Sequence, residues 1–251
     1  MSLIYKTIEQ WQGEKEWGKF LDTGTRDQSL KWVLSLNTTN CTAINGSEHY
    51  YNELLINNKL SENKRLIVNN WINNNLLENE TFDTILADYL LGAIDGFLPY
   101  FQNNLLPRLK RHLSKNGTLY FVGLEPFPDY TENKSDMYII RISKLRDACI
   151  LHAGHRCYRE YPLEWVQSEL VKNGFEITKT KPFFNQFGMS FVKSQLDVAR
   201  SKLPFILDTE LQTTLQNTIN QLETETELHI NEYGPISFGF DYLIQAKLKE
   251  N

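Results

Sequence analysis

The sequence predicts an α/β fold: a doubly wound, mostly parallel seven-stranded sheet flanked by helices, with an antiparallel C-terminal strand and a helical insertion before it. Three observations predict it. Short apolar runs recur along the chain, each closed by a turn former such as Gly24, Gly46 or the Asn-rich stretch from Asn69. Between them lie stretches whose apolar residues return every three or four positions, as on a helix with one buried face. No repeat or long linker interrupts the alternation, so residues 1–251 are read as one domain.

In chain order, residues 1–16 read as an N-terminal helical extension. Lys19-Phe20-Leu21-Asp22 is the first strand, and Ser29–Leu36 the helix after it, carrying Leu30, Trp32, Val33 and Leu34. Cys41–Asn45 is the second strand. Ser47 is a credible N-cap for a helix from Glu48 to Asn58, since a serine hydroxyl can accept from the unpaired N–H groups of a first turn. Arg65–Val68 and Phe82–Asp88 are the third and fourth strands. Phe97–Leu113 reads as a helix with Phe101, Leu105, Leu109 and Leu113 four apart and Gly117 as its terminator. Gly117–Leu124 is the fifth strand. Pro162 suits the first turn of a helix running to Asn173, where Gly174 stops it. Phe175–Thr178 is the sixth strand. A helical insertion over 187–232, divided near Pro204, reads as a lid or a dimerisation arm, and Phe238–Ala246 alternates as the last strand.

Composition narrows the function. A net charge of −5 gives no global footprint for nucleic acid. No apolar run approaches about 18 residues and no signal-peptide pattern opens the chain, so no membrane association is expected. Three scattered cysteines, Cys41, Cys149 and Cys157, do not read as a disulfide framework, which favours a reducing, cytoplasmic setting. The expected partner is a small-molecule substrate, with the chain a monomer or homodimer.

Open parallel sheets bind ligands beyond the carboxyl ends of their strands, which directs attention to Asp22, Gly24, Asn45, Asn70, Trp71, Asp88 and Glu125. Here a family comes into view. The run Phe20-Leu21-Asp22-Thr23-Gly24-Thr25-Arg26-Asp27-Gln28-Ser29-Leu30 resembles the first motif of class I S-adenosylmethionine (SAM)-dependent methyltransferases, where a strand ends in an acid and a Gly-x-Gly loop passes the cofactor. Phe82–Tyr89 resembles the family's fourth-strand motif, and Leu113–Leu119 its approach to the fifth strand. With element order, the resemblance spans 17 to 184. It implies SAM as cofactor and methyl transfer to an O, N or S atom of a small molecule, with Asp22, Gly24, Thr25, Asn45, Asn70, Trp71 and Asp88 around the cofactor.

Three positions depart from the family pattern. Arg26 stands where a second glycine is usual, Asn45 where an acid usually meets the ribose hydroxyls, and Asn70 where one often meets the adenine amine. A neutral amide still hydrogen-bonds there, but a charged acceptor is roughly twice as strong. These departures motivate the alternative of a catalytically silent binding or scaffold protein on the same fold.

Each candidate also has a plainer reading. Gly24 is either a cofactor-lining residue or an ordinary turn glycine, and Asp22 either an orienting acid or a cap. Asp88 faces the transferable methyl or caps the next turn. Trp71 stacks on adenine or fills the core, and Asp95 reads as a helix cap. His152, His155 and Asp88 are the candidate bases. Tyr89, Arg156, Tyr158 and Tyr161 are the candidate substrate wall, weighed against a solvated helix end. Cys149, His152, His155 and Cys157 fall within nine residues, too crowded for the two separated ligand pairs of structural zinc, and no metal is expected.

Overall fold

Short apolar strands need cover on both faces, and the intervening helices supply it. The computed structural model describes residues 2–250. Its elements are α1 (Leu3–Gln12), β1 (Lys19–Asp22), α2 (Asp27–Ser35), β2 (Asn40–Asn45), α3 (Glu48–Asn57), β3 (Lys64–Val68), β4 (Phe82–Asp88), α4 (Leu90–Ile94), α5 (Gln102–His112) and β5 (Leu113–Leu124). There follow α6 (Lys134–His152), α7 (Leu163–Lys172), β6 (Phe175–Phe187), α8 (Met189–Lys202), a 3-10 turn (Leu203–Phe205), α9 (Thr209–Tyr233) and β7 (Ile236–Leu248).

The seven strands form one sheet in the order β3-β2-β1-β4-β5-β7-β6. The pairs β2–β3, β1–β2, β1–β4 and β4–β5 are parallel, and β7 runs antiparallel to β5 with Leu119 opposite Ala246 and Leu124 opposite Asp241. The strand order reverses at β1, so the carboxyl ends of β1 and β4 flank the crevice where such sheets bind ligands. No helix among the described residues is long and apolar enough to cross a membrane.

The chain divides into two compact units, where the sequence draws no boundary. The first comprises Met1–Glu125, Arg159–Phe183 and Asp241–Asn251, the second Pro126–Tyr158 and Phe184–Phe240. In the first, Ile8, Phe20, Trp32, Val33, Leu86, Tyr120, Val122 and Leu243 form the main core. α1 belongs to that core: Tyr5 stacks on Trp32 with ring centroids 4.5 Å apart, and the Trp32 indole donates to Glu9 at 2.7 Å. Its far end is held by a trio in which the buried Tyr120 hydroxyl donates to Gln12 at 2.7 Å and accepts from the half-buried Gln245 at 3.0 Å. In the second unit, Ile142 and Cys149 of α6 pack on Val192, Leu196 and Ala199 of α8 and on Leu215, Ile219 and Leu222 of α9.

Several elements differ from expectation. The helix expected over Phe97–Leu113 begins only at Gln102, because Tyr100 takes a left-handed φ of 65° that interrupts helical geometry. Leu113 already belongs to β5, and Gly117 lies inside that strand rather than ending a helix. A Cβ on Gly117 would lie 2.6 Å from a Leu113 methyl, so close approach explains the glycine. Ser47 occupies its cap position without a capping hydrogen bond. β6 runs to Phe187, well past Thr178. As the edge strand it carries Lys179, Lys181 and Pro182 in its exposed middle. The insertion is helical and breaks at Pro204 as expected, while α6, unforeseen from sequence, shares its core.

Candidate active site

The first motif folds as a tight crossing from β1 to α2, and its backbone is bonded from three sides. Thr23 N–H and its hydroxyl both donate to the Leu86 carbonyl of β4, at 3.0 and 2.8 Å. Thr25 N–H donates to the Ile44 carbonyl of β2 at 2.7 Å. The Trp71 indole donates to the Thr23 carbonyl at 2.9 Å, and the Asn45 amide to the Thr25 carbonyl at 2.7 Å. Thr25 and Ser29 are buried, their hydroxyls 3.2 Å apart. A loop tied this way keeps its shape without the second glycine of the family motif. Arg26, at that position, is exposed, its guanidinium 3.7 Å above the Tyr50 ring.

Asp22 ends β1 with no solvent exposure. One oxygen accepts from Gly24 N–H at 3.5 Å, a long contact, and the other, Oδ2, has no partner. Burial pushes its carboxyl up to about 6, against the opposing pull of the nearby Thr25 and Ser29 hydroxyls and the Gly24 N–H. An unpartnered, buried carboxylate oxygen is costly. What it lacks is a donor, best a cationic one.

Asp88 ends β4 and accepts from the Tyr5 hydroxyl at 2.7 Å. Burial drives it up to about 7, with the fields of Asp22 and Asp241 adding to the rise and the Tyr5 hydrogen bond opposing it. Tyr89 follows in the left-handed region, φ 49° and ψ 21°, a strained place for a non-glycine residue. Its N–H donates to the Val122 carbonyl at 3.1 Å. Burial, the charges of Asp241 and Asp88 and a hydrogen bond to Asp241 all push its hydroxyl up.

The structure therefore brings Asp22, Gly24, Thr25, Asn45, Trp71, Asp88 and Tyr89 together at the carboxyl ends of β1, β2 and β4. Their individual duties are more internal than the sequence suggests. Gly24 leaves room for Leu90, whose methyl would lie 3.0 Å from an added Cβ. Asn45 is buried and braces the loop on both sides, since its carbonyl also accepts from Ser47 N–H at 2.8 Å. Trp71 is 4% exposed and holds the Thr23 carbonyl. Asn70 is half-buried and caps its own turn by accepting from Ile72 N–H at 3.2 Å. Asp95 is buried and braces the turn into α5, accepting from Tyr100 N–H and the Gln102 amide.

Tyr161 is half-buried, 4.6 Å from the Trp165 ring, and its carbonyl accepts from the Tyr242 hydroxyl at 2.8 Å. His152, His155, Arg156 and Tyr158 lie in the second unit and are exposed. His152 ends α6, and the His155 ring sits 5.4 Å from Phe205. Among the described residues no three of His, Cys, Asp and Glu converge as a metal site requires. Sequence reasoning missed Tyr5 and Asp241, which reach Asp88 and Tyr89 from α1 and β7.

No family model and no curated sequence matches the chain. Solved structures do. A Bacillus halodurans protein classed provisionally as a methyltransferase superposes with a TM-score of 0.61 at 17% identity, over 98% of this chain and 99% of that one. A SAM-dependent methyltransferase from Geobacter sulfurreducens, solved with S-adenosyl-L-homocysteine, gives 0.55 at 8% identity over 99% and 92%. The cyclase SpnF gives 0.54 at 12% identity over 99% and 81%. Together with the strand order and the reversed last strand, these likenesses show that the chain has the class I methyltransferase fold.

Proposed function

We propose that the chain is a SAM-dependent methyltransferase that transfers a methyl group to an O, N or S atom of a small molecule. The observation that carries this is Asp22 Oδ2, a buried carboxylate oxygen without a donor, at the end of β1 where the fold binds its ligand. The residues present fit SAM at that end, because its methionine ammonium supplies the missing cationic donor. The remaining hydrogen of the Asn45 amide, beyond the one given to Thr25, is a donor for a ribose hydroxyl.

When bound, SAM supplies a methyl group already activated on a sulfonium. The chain's own task is then to place an acceptor in line with it and to take up a proton where the acceptor carries one. Asp88 is the base in this reading, chosen over His152 and His155 because it ends β4 within the field of Asp22, and because a carboxyl at about 7 exchanges protons near neutrality. Tyr89, held in its strained conformation beside Asp88, lines the acceptor side, with Tyr161 in the same unit. The free thiols Cys41, Cys149 and Cys157 support a reducing, cytoplasmic setting.

Isothermal titration of the purified chain with SAM and with S-adenosyl-L-homocysteine tests the reading, and binding of both is expected. Absence of heat at millimolar ligand would overturn it. A second reading, a silent binding protein, draws on Asn45, whose side chain is engaged in bracing the loop. That reading is favoured if S-adenosyl-L-homocysteine binds and SAM does not.

A further inference from the structure

We infer that Tyr5, on α1, is a positioning residue for Asp88, fixing which of its oxygens is free and favouring its ionised form; its catalytic meaning rests on the methyl-transfer reading above. Nothing in the local sequence joins the two residues, which are 83 positions apart. The structure does so with little freedom left over. The Tyr5 hydroxyl donates to Asp88 Oδ2 at 2.7 Å, within the range for a charge-assisted O–H···O⁻ bond. The Tyr5 ring is 6% exposed and lies nearly parallel to Trp32, 6° between planes. Trp32 is itself fixed by Glu9 one turn along α1, and the helix is pinned at its other end by Gln12 on Tyr120. The phenol cannot swing off Asp88 without breaking the stack.

Two consequences follow for the carboxylate. With Oδ2 held, Oδ1 is the oxygen left to meet a ligand or take a proton. A donor on Oδ2 also favours the charged form. The groups that face Asp88 are Tyr5 from α1, Asp22 from β1, Asp241 from β7 and the neighbouring Tyr89. Burial and the two other carboxylates raise it, and Tyr5 alone among these lowers it. Tyr5 therefore keeps Asp88 ionised at a pH where its surroundings would neutralise it. α1 is in this sense a wall of the site, not an appendage to it.

The test compares the full chain with Tyr5→Phe, which removes the hydroxyl and keeps the stacked ring. Asp88 is followed directly by its carboxyl carbon resonance in protein labelled at aspartate, the signal being identified by its absence from Asp88→Asn. The expected result is an upward move of the titration midpoint by about one pH unit. In parallel, SAM affinity measured from pH 6 to 9 should rise with ionisation of Asp88. That rise should shift to higher pH in Tyr5→Phe, with affinity at pH 7 falling about fivefold. A Tyr5 that merely packs would lower the melting temperature and leave both midpoints in place, and that outcome overturns the inference. If SAM fails to bind the unaltered chain while the carboxyl midpoint still moves, the methyl-transfer reading falls and the control of Asp88 by Tyr5 stands.

Discussion

The two units bury different things. Among the described residues, the first unit encloses Asp22, Thr23, Thr25, Ser29, Asn45, Asp95 and several further polar side chains, whereas Thr226 is the buried polar residue of the second. Thr226 satisfies itself, donating to the Leu222 carbonyl one turn back on its own helix at 2.6 Å. The polar groups of the first unit mostly reach across elements instead, as Asn45 does to Thr25 and Trp71 to Thr23. A helical core held by apolar contact needs no such cross-bracing. A loop that must keep backbone and carboxylate fixed for a ligand does, and it tolerates one unsatisfied oxygen to be ready.

The sharpest way to break this contrast is Asp22→Asn. Its carboxyl stands at about 6 in the fold against an ordinary 3.8. Between those values the unfolded chain ionises while the folded one does not, so stability falls as pH rises from about 4 to 6 and stays lowered above. The shift corresponds to about 3 kcal/mol. The amide should therefore stabilise the chain at pH 8, flatten the pH dependence of its melting between 4 and 6, and weaken SAM binding. A variant less stable than the parent at pH 8 would show that Oδ2 has a partner in solution.

Asn45→Asp comes next, and it runs against simple family logic. The change supplies the acid usual at the end of the second strand but removes the donor to the Thr25 carbonyl and sets two oxygens face to face. A loss of about 1–3 kcal/mol is expected in urea unfolding, and a gain in stability would mean that the loop is not braced there. Thr226→Val should be the smallest, below about 1 kcal/mol, since it removes only a back-bond within a helix and keeps the shape. A larger loss would erase the distinction between the two interiors.

Much of the sheet was legible because strands buried on both faces leave unbroken apolar runs with turn formers at their ends. β1, β2 and β4 end at the residues expected, Asp22, Asn45 and Asp88. α6 was not, although Tyr138, Ile142, Leu145 and Cys149 recur every three or four positions on its packed face, because Ile139, Ile140, Ile150 and Leu151 scatter apolar residues around the rest of the helix. The break at Tyr100 was equally silent, as no glycine marks its left-handed backbone. At the site, residue types indicated where the acids would gather but not what each would hold. Asn45 and Trp71 read as ligand contacts because both stand at strand ends, yet each is used to fasten the loop. Tyr5 and Asp241 were invisible because their partners are distant in sequence and only the assembled sheet brings them near.

The outermost strand has a consequence beyond this chain's own folding. Thirteen residues of β6 end the sheet, and a strand of that length with one open edge offers a row of amide and carbonyl groups to any other chain that reaches it. Charge and ring closure are set against that hazard: Lys179 and Lys181 repel a second copy of the same edge, and Pro182 withholds a donor midway. Removing those three features together would leave the carboxyl ends of β1 and β4 untouched and open a flat edge on which copies of the chain pair with one another.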